Sequence, residues 1–210
     1  MTDERIIRAL VRDLRPVKPM PPMTRSLLIY LAASALVIFV FTKLGTAVDA
    51  PAVLPVLLCA TLLVTGAAGA LGSAIPGRTS WWFAGAVVIA ALAVWSADLA
   101  LRLAATLPDS ARAWGDSPWV KCFGFTVAVS VLPSLVLIRL VRAGWPVQPR
   151  ATTAMIFVSG ASTAALTTTL ECPSQAPLHV LLGHLLPVIV LAAIGVTAAR
   201  ALLHRGLRGT

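Results

Sequence analysis

The residues of this chain whose types can do chemistry are few, and most lie in its second half. Cys122, Cys172, His179 and His184 carry thiol and imidazole groups, and Glu171 precedes Cys172 directly. Thiols and imidazoles bind soft metal ions, and two neighbouring thiols can be oxidised to a disulfide. The sequence contains no CxxC motif, which weakens an interpretation as a thiol oxidoreductase.

The spacing of these residues does not match a standard zinc-binding pattern. A histidine near a helix end is also more often structural than a ligand. We therefore expect no bound metal ion and no other cofactor. The sequence shows no phosphate-binding P-loop, dinucleotide fingerprint, nucleophile elbow or zinc-protease motif. These observations predict a protein that is not an enzyme.

Apolar segments must position these side chains. The chain has 210 residues, of which 58% are hydrophobic and 12% charged, about half the charged fraction of a soluble domain. Each of six apolar segments is long enough to cross ~30 Å of hydrocarbon as a helix. They cover about Ser26 to Phe41, Ala52 to Ile75, Trp81 to Leu101, Trp119 to Val141, Thr152 to Leu170 and Leu178 to Leu203. The predicted fold class is all-α, a polytopic membrane protein whose six-transmembrane-helix bundle spans residues 24–205, with its longest loop over residues 106–118.

The distribution of Lys and Arg predicts the orientation of this bundle. Six spans place both termini on one side, and that side carries most of the 17 Lys and Arg residues. The exceptions are Lys43, Arg102, Arg112 and Lys121. The cation-rich side is therefore cytoplasmic, and it includes the C-terminal tail, residues 206–210. Topology explains the net charge of +9 better than direct binding to nucleic acid does, and the lipid bilayer is the first expected partner.

This topology places Cys122 and Cys172 at the same outer membrane face. In a bacterial inner membrane that face is the oxidising periplasm. The two residues can form a disulfide if their Cα atoms come within about 7 Å, and the spacing leaves a disulfide and two free thiols equally open. Cys59 lies inside an apolar span and is predicted to be a small buried side chain. Asp98 and Arg102 are expected to form an ion pair at a span boundary.

Residues 1–23 precede the first span and divide into a short helix and a proline-rich linker. The apolar residues of the helix follow a helical spacing that gives one stripe. They are Ile6, Ile7, Leu10, Val11 and Leu14. So short a helix is not stable alone in water, so this cytoplasmic amphipathic helix needs a surface that covers its stripe. The inner leaflet of the membrane and a groove on a partner protein fit equally well.

The chain resembles the NrsF family of bacterial membrane proteins over nearly its whole length. The resemblance starts with TDE at residues 2–4 and continues through DLRPV at residues 13–17. It includes Cys122 before an apolar span with Pro133, the RAGWP turn at residues 142–146, and Cys172-Pro173 before a last span that ends in basic residues. Cys59 has no role in this resemblance.

The resemblance implies a membrane anti-sigma factor. Its N-terminal segment would sequester an extracytoplasmic-function sigma factor, through the stripe residues named above, at the bacterial inner membrane. Cys122 and Cys172 match the two cysteines that such proteins use to sense a periplasmic metal or oxidative signal. The tail lacks the zinc-binding His and Cys residues of another anti-sigma class, so that mechanism does not carry over. The alternative function is a small membrane transporter or a membrane-embedded redox enzyme, which predicts a polar or cofactor-binding interior.

Overall fold

The computed structural model describes residues 21–44, 53–75, 77, 81–113, 119–144, 146 and 148–204. Side chains are not described for Leu44, residues 107–113 and His204. The predicted amphipathic helix and its five stripe residues lie outside the described residues, as does the tail after residue 205. The helix and its role therefore stay predictions.

The described residues form helices and turns without a strand, which confirms the all-α prediction. Each of six helices is long and apolar enough to cross a membrane. The first five are α1 (Met23–Leu44), α2 (Val53–Ser73), α3 (Trp81–Ala113), α4 (Trp119–Arg142) and α5 (Pro149–Glu171). The sixth, α6, comprises the consecutive segments Pro177–Val180, Leu181–Leu185 and Leu186–His204, of which the middle one is a π-helical turn.

The third helix is longer than the sequence predicted. We expected the span to stop at Leu101 and a loop to follow over residues 106–118, whereas α3 continues to Ala113. Hydrophobicity indicates where the chain leaves the lipid, and a helix can continue beyond that point. The segment RLAAT at residues 102–106 contains good helix formers, whereas Pro108 disfavours a helix interior, so helix propensity explains only the first part of the extension. Asp98 accepts a hydrogen bond from Arg102 at 3.0 Å, which confirms the expected ion pair.

The helix α5 is the centre of the bundle. Its most apolar window is 78% buried within the protein, against 22% for α1 and for α3. It packs against α1, α2, α4 and α6. It is also the least hydrophobic of the six spans, and most of its buried polar residues are serines and threonines. Several of these hydroxyl groups donate to a carbonyl oxygen four residues earlier in α5, so the helix satisfies part of its own polarity.

Hydroxyl pairs fix the position of α5 relative to its neighbours. Thr152 Oγ1 lies 2.7 Å from Ser73 Oγ of α2. Ser159 Oγ lies 2.8 Å from Tyr30 Oη of α1 and 2.6 Å from the Leu63 carbonyl oxygen of α2. Because each contact satisfies a buried polar group, a change in the register of α5 would leave several of them unpaired.

Small residues allow the backbones of these helices to approach closely. A Cβ atom at Gly66 would lie 3.0 Å from the Met155 carbonyl oxygen, and one at Gly160 would lie 3.1 Å from the Ser130 carbonyl oxygen. Gly66 therefore permits the α2–α5 contact and Gly160 the α4–α5 contact. The small-residue faces of spans two and five act here in helix packing.

The substitution Gly160→Ala tests this packing. The new methyl group meets backbone atoms of α4 that cannot rotate away, so we expect a loss of about 1–3 kcal/mol of stability, as for other overpacked cores. Thermal unfolding in detergent should show a lower Tm. Gly124→Ala is the matched control, because a Cβ atom there meets no atom within 4 Å. Equal Tm values for the two variants would contradict the packing described here.

Candidate metal centre and thiol pair

Four side chains that can bind a metal converge at one end of the bundle, which we call the cysteine end. Cys122 lies in the first turn of α4, and Cys172 is the residue directly after α5. His179 lies in the first turn of α6, and His184 lies in its π-helical turn. Three elements that are distant in sequence therefore supply the cluster. The opposite end of the bundle, where α4 ends at Arg142, is called the arginine end.

The cluster is compact and mostly buried. Cys122 Sγ lies 3.7 Å from Cys172 Sγ, which in turn lies 3.1 Å from His179 Nε2. One ligand atom from each of the four residues lies within 4.8 Å of the others. Cys172, His179 and His184 are buried and Cys122 is half-buried. The structure thus brings the two cysteines together, as the shared end of their spans predicted.

The π-helical turn is what brings the two histidines together. In an α-helix, residues five positions apart point about 140° away from each other, because each residue turns by about 100°. A π-helix has a wider turn with i→i+5 hydrogen bonds, and here the Leu186 amide donates to the Leu181 carbonyl. His179 and His184 consequently face each other, with ring centroids 5.6 Å apart. The sequence had placed His184 more than a turn away from the other residues.

Close contacts hold α4 and α6 together beside the cluster. A Cβ atom at Gly183 would lie 3.0 Å from Cys122 Cβ, so glycine permits this approach. Thr126 Oγ1 donates a hydrogen bond to the Gly183 carbonyl at 3.3 Å and lies 2.9 Å from Thr168 Oγ1 of α5. Thr126 therefore contacts both helices that carry the other cluster residues. Sequence reasoning had assigned no role to Thr126 or Gly183.

The contacts of Thr169 favour one position for the proton of a neutral His184. Thr169 Oγ1 donates its single proton to the Ala165 carbonyl at 2.8 Å and lies 3.2 Å from His184 Nδ1. With that donation Thr169 accepts in the second contact, an assignment that makes Nδ1 of a neutral His184 the donor. The other nitrogen, Nε2, is left with a lone pair. It is buried and has no hydrogen-bond partner among the described residues.

The contact between the two thiols favours a thiolate at Cys172, which lies between α5 and α6. The hydrogen bond from the Cys122 thiol lowers the pKa of Cys172 below its ordinary range, and burial acts in the opposite direction. A thiolate is the form of cysteine that binds metal ions and attacks oxidants. The site can therefore form a disulfide or bind a soft cation.

The other candidate residues lie outside this cluster. Glu171 is not among the residues whose ligand atoms converge. Cys59 is fully buried within α2, as expected for a small apolar side chain. Both cluster cysteines are free thiols.

Comparison with known families identifies the chain. A family model described as "negative regulator of sigma F" (NrsF) matches residues 10–204. The chain belongs to the NrsF family. The family is one of sigma-factor regulators rather than enzymes.

The NrsF match includes all four cluster residues. It also includes Leu10, Val11 and Leu14 of the N-terminal stripe, whereas Ile6 and Ile7 precede it. No curated protein and no solved structure matches this NrsF chain significantly.

Mild oxidation tests the proximity of the thiols. Diamide accepts two electrons and two protons when two thiols join, and the 3.7 Å contact should make Cys122–Cys172 the bond that forms. Mass spectrometry of non-reduced peptides should find this link within one chain, with Cys59 still reduced. Cys59→Ser should leave the result unchanged, whereas Cys122→Ser should abolish it. Links formed only between different chains would contradict the geometry.

Proposed function

We propose that this NrsF protein sequesters an extracytoplasmic-function sigma factor at the bacterial inner membrane through its N-terminal segment. Release follows a change at the Cys122–Cys172 pair, caused by a periplasmic oxidant or a soft metal ion. Family membership supports a sigma factor as the partner. The observation that carries the sensing role is the 3.7 Å contact between two sulfur atoms that belong to different parts of the bundle.

A disulfide would restrict how the helices pack. It would join residues that are 50 positions apart in the chain, and it requires their Cα atoms to lie within about 7 Å of each other. A packing that moves the start of α4 away from the end of α5 is then excluded. Because the conformations of a molecular switch commonly differ by only a few kcal/mol, such a restriction can select one packing of α4, α5 and α6 over another.

A hydrogen bond between α5 and α1 connects the cysteine end of the bundle to the helix that follows the N-terminal segment. Cys172 directly follows α5, and α5 contacts α1 through Ser159 and Tyr30. The first helix α1 begins at Met23, the last residue of the predicted linker. A shift of α5 would therefore also move α1, the helix that follows the sigma-binding segment.

A second connection lies at the arginine end. Arg142 at the end of α4 donates hydrogen bonds to the Leu202 carbonyl near the end of α6, one of them at 2.8 Å. The two helices that the cluster joins at one end are thus tied together at the other end as well. This supports movement of α4 and α6 as a pair.

The proposal requires the cysteine end to face the periplasm. Reporter fusions after residues 18, 78, 147 and 208 should report a cytoplasmic location, because the Lys and Arg bias places them inside. Fusions near residues 47, 110 and 175 should report a periplasmic location. A cytoplasmic signal at residue 175 would remove Cys172 from the oxidising face and contradict the sensing role.

The double substitution Leu10→Asp/Leu14→Asp tests the N-terminal segment. Two carboxylates in the middle of the stripe would have to be buried without partners, which is strongly disfavoured. Pull-down of the sigma factor by the solubilised protein should fall at least tenfold, while the amount of protein in the membrane stays the same.

The matched control for this experiment is Val17→Asp/Met20→Asp, which adds the same charge within the predicted linker. The control variant should retain sigma-factor binding. Normal binding by the stripe variant, or equal loss in both variants, would exclude the stripe as the docking surface.

A further inference from the structure

The four residues of the cluster have the donor atoms and the separations of a tetrahedral metal site. Tetrahedral Zn²⁺ with Zn–S bonds of about 2.3 Å and Zn–N bonds of about 2.0 Å requires S···S, S···N and N···N separations of about 3.8, 3.5 and 3.3 Å. The two sulfurs lie 3.7 Å apart, and Cys172 Sγ lies 3.1 Å from His179 Nε2. The 4.8 Å limit on all ligand separations leaves only small side-chain rotations to complete the tetrahedron.

The surroundings of His184 suit a metal ligand. In the tautomer whose Nδ1–H donates to Thr169 Oγ1, the lone pair lies on Nε2, which is buried and has no hydrogen-bond partner among the described residues. An unpartnered lone pair in a buried site is unfavourable unless it gains a partner. A metal ion at the centre of the cluster supplies that partner. Metal-binding histidines characteristically donate their second N–H to an oxygen in the same way.

Charge and access also fit a divalent cation. Two thiolates would neutralise a doubly charged ion, so the occupied site would add no net charge to the buried end of the bundle. The half-buried Cys122 gives the ion a route from solvent, whereas the other three residues are buried. A site with two thiolates and two imidazoles favours Zn²⁺ and similar thiophilic ions over Mg²⁺ or Ca²⁺, which prefer oxygen.

We propose that Cys122, Cys172, His179 and His184 form one four-coordinate site for a thiophilic d¹⁰ cation of the Zn²⁺ and Cd²⁺ class. This inference deepens the proposed function by naming the ligand of the same site, and its regulatory meaning rests on that function. The ion joins the start of α4, the residue after α5 and the π-helical turn of α6. The two histidines are ligands, and Thr169 is a positioning residue that orients His184.

Cadmium titration tests the site directly. The purified protein, made without a histidine tag and kept reduced, is titrated with Cd²⁺ while the thiolate-to-metal charge-transfer absorption and the heat of binding are recorded. We expect one ion per chain. Cys122→Ser, His179→Gln and His184→Gln should each weaken Cd²⁺ binding at least tenfold, because each removes one ligand.

Matched controls separate the ligands from residues of the same type. His204→Gln changes the last residue of α6, far from the cluster, and Cys59→Ser changes a cysteine within α2. Both variants should bind Cd²⁺ as the unchanged protein does. Thr169→Val should weaken binding by about 10–100-fold, the usual effect of losing a ligand's outer hydrogen-bond partner. Thr169→Ser keeps the hydroxyl group and should restore binding.

X-ray absorption of the Zn²⁺-loaded unchanged protein gives a test that needs no variant. Two sulfur and two nitrogen neighbours are expected. Binding that depends on the cysteines but not on the histidines, two sulfur neighbours alone, or no saturable binding would each overturn the four-ligand site. All of these measurements use the chain without a sigma factor. Failure of sigma regulation would therefore leave the metal result intact, and absence of metal binding would leave the sigma-factor test intact.

Discussion

The rest of the structure follows from the hydroxyl contacts that join the central helix α5 to its neighbours. Many hydroxyl groups of α5 donate to a carbonyl oxygen four residues earlier in the same helix, and Thr152 and Ser159 contact other helices. Its contacts with Ser73 and Tyr30 then fix its register. That register in turn determines where Cys172 and Thr169 lie. The position of Cys172 in the cluster thus depends on how α5 packs against α1 and α2.

A local departure from α-helical geometry completes the cluster. The π-helical turn of α6 aligns His179 with His184, which a regular helix would point away from each other. Gly183 within this turn allows α4 to approach, so Cys122 reaches the same point. Turns of this type are frequent at functional sites. Residues at positions i and i+5 point away from each other in an α-helix, whereas in this turn their two imidazole rings face each other.

The sequence predicted the parts of the structure that depend on the lipid. Six apolar segments correctly indicated six spans, because a bilayer imposes their length and composition. Topology then placed Cys122 and Cys172 at one end. The central position of α5 was not predicted, although the sequence shows that this span is rich in Ser and Thr. Its hydroxyl groups were interpreted only as part of a small-residue face.

Other features could not be predicted from spacing. The extension of α3 to Ala113 passes through Pro108, a residue that disfavours a helix interior, so the sequence pattern did not indicate it. The convergence of the histidines depends on the π-helical turn, which has no established sequence pattern. Zinc patterns describe ligands that are close in sequence, whereas this cluster combines residues from α4, α6 and the end of α5. The expectation that no metal is bound was based on those patterns, and the geometry now favours a site.

We propose that the state of the cluster determines whether the sigma factor stays bound. The most direct test follows both events in one sample, with the complex of this protein and its sigma factor in lipid nanodiscs. Cd²⁺ is added while charge-transfer absorption reports occupancy and the anisotropy of a labelled sigma factor reports release. We expect release to rise in proportion to occupancy and to be absent from the Cys122→Ser protein. Full occupancy with the sigma factor still bound would contradict it.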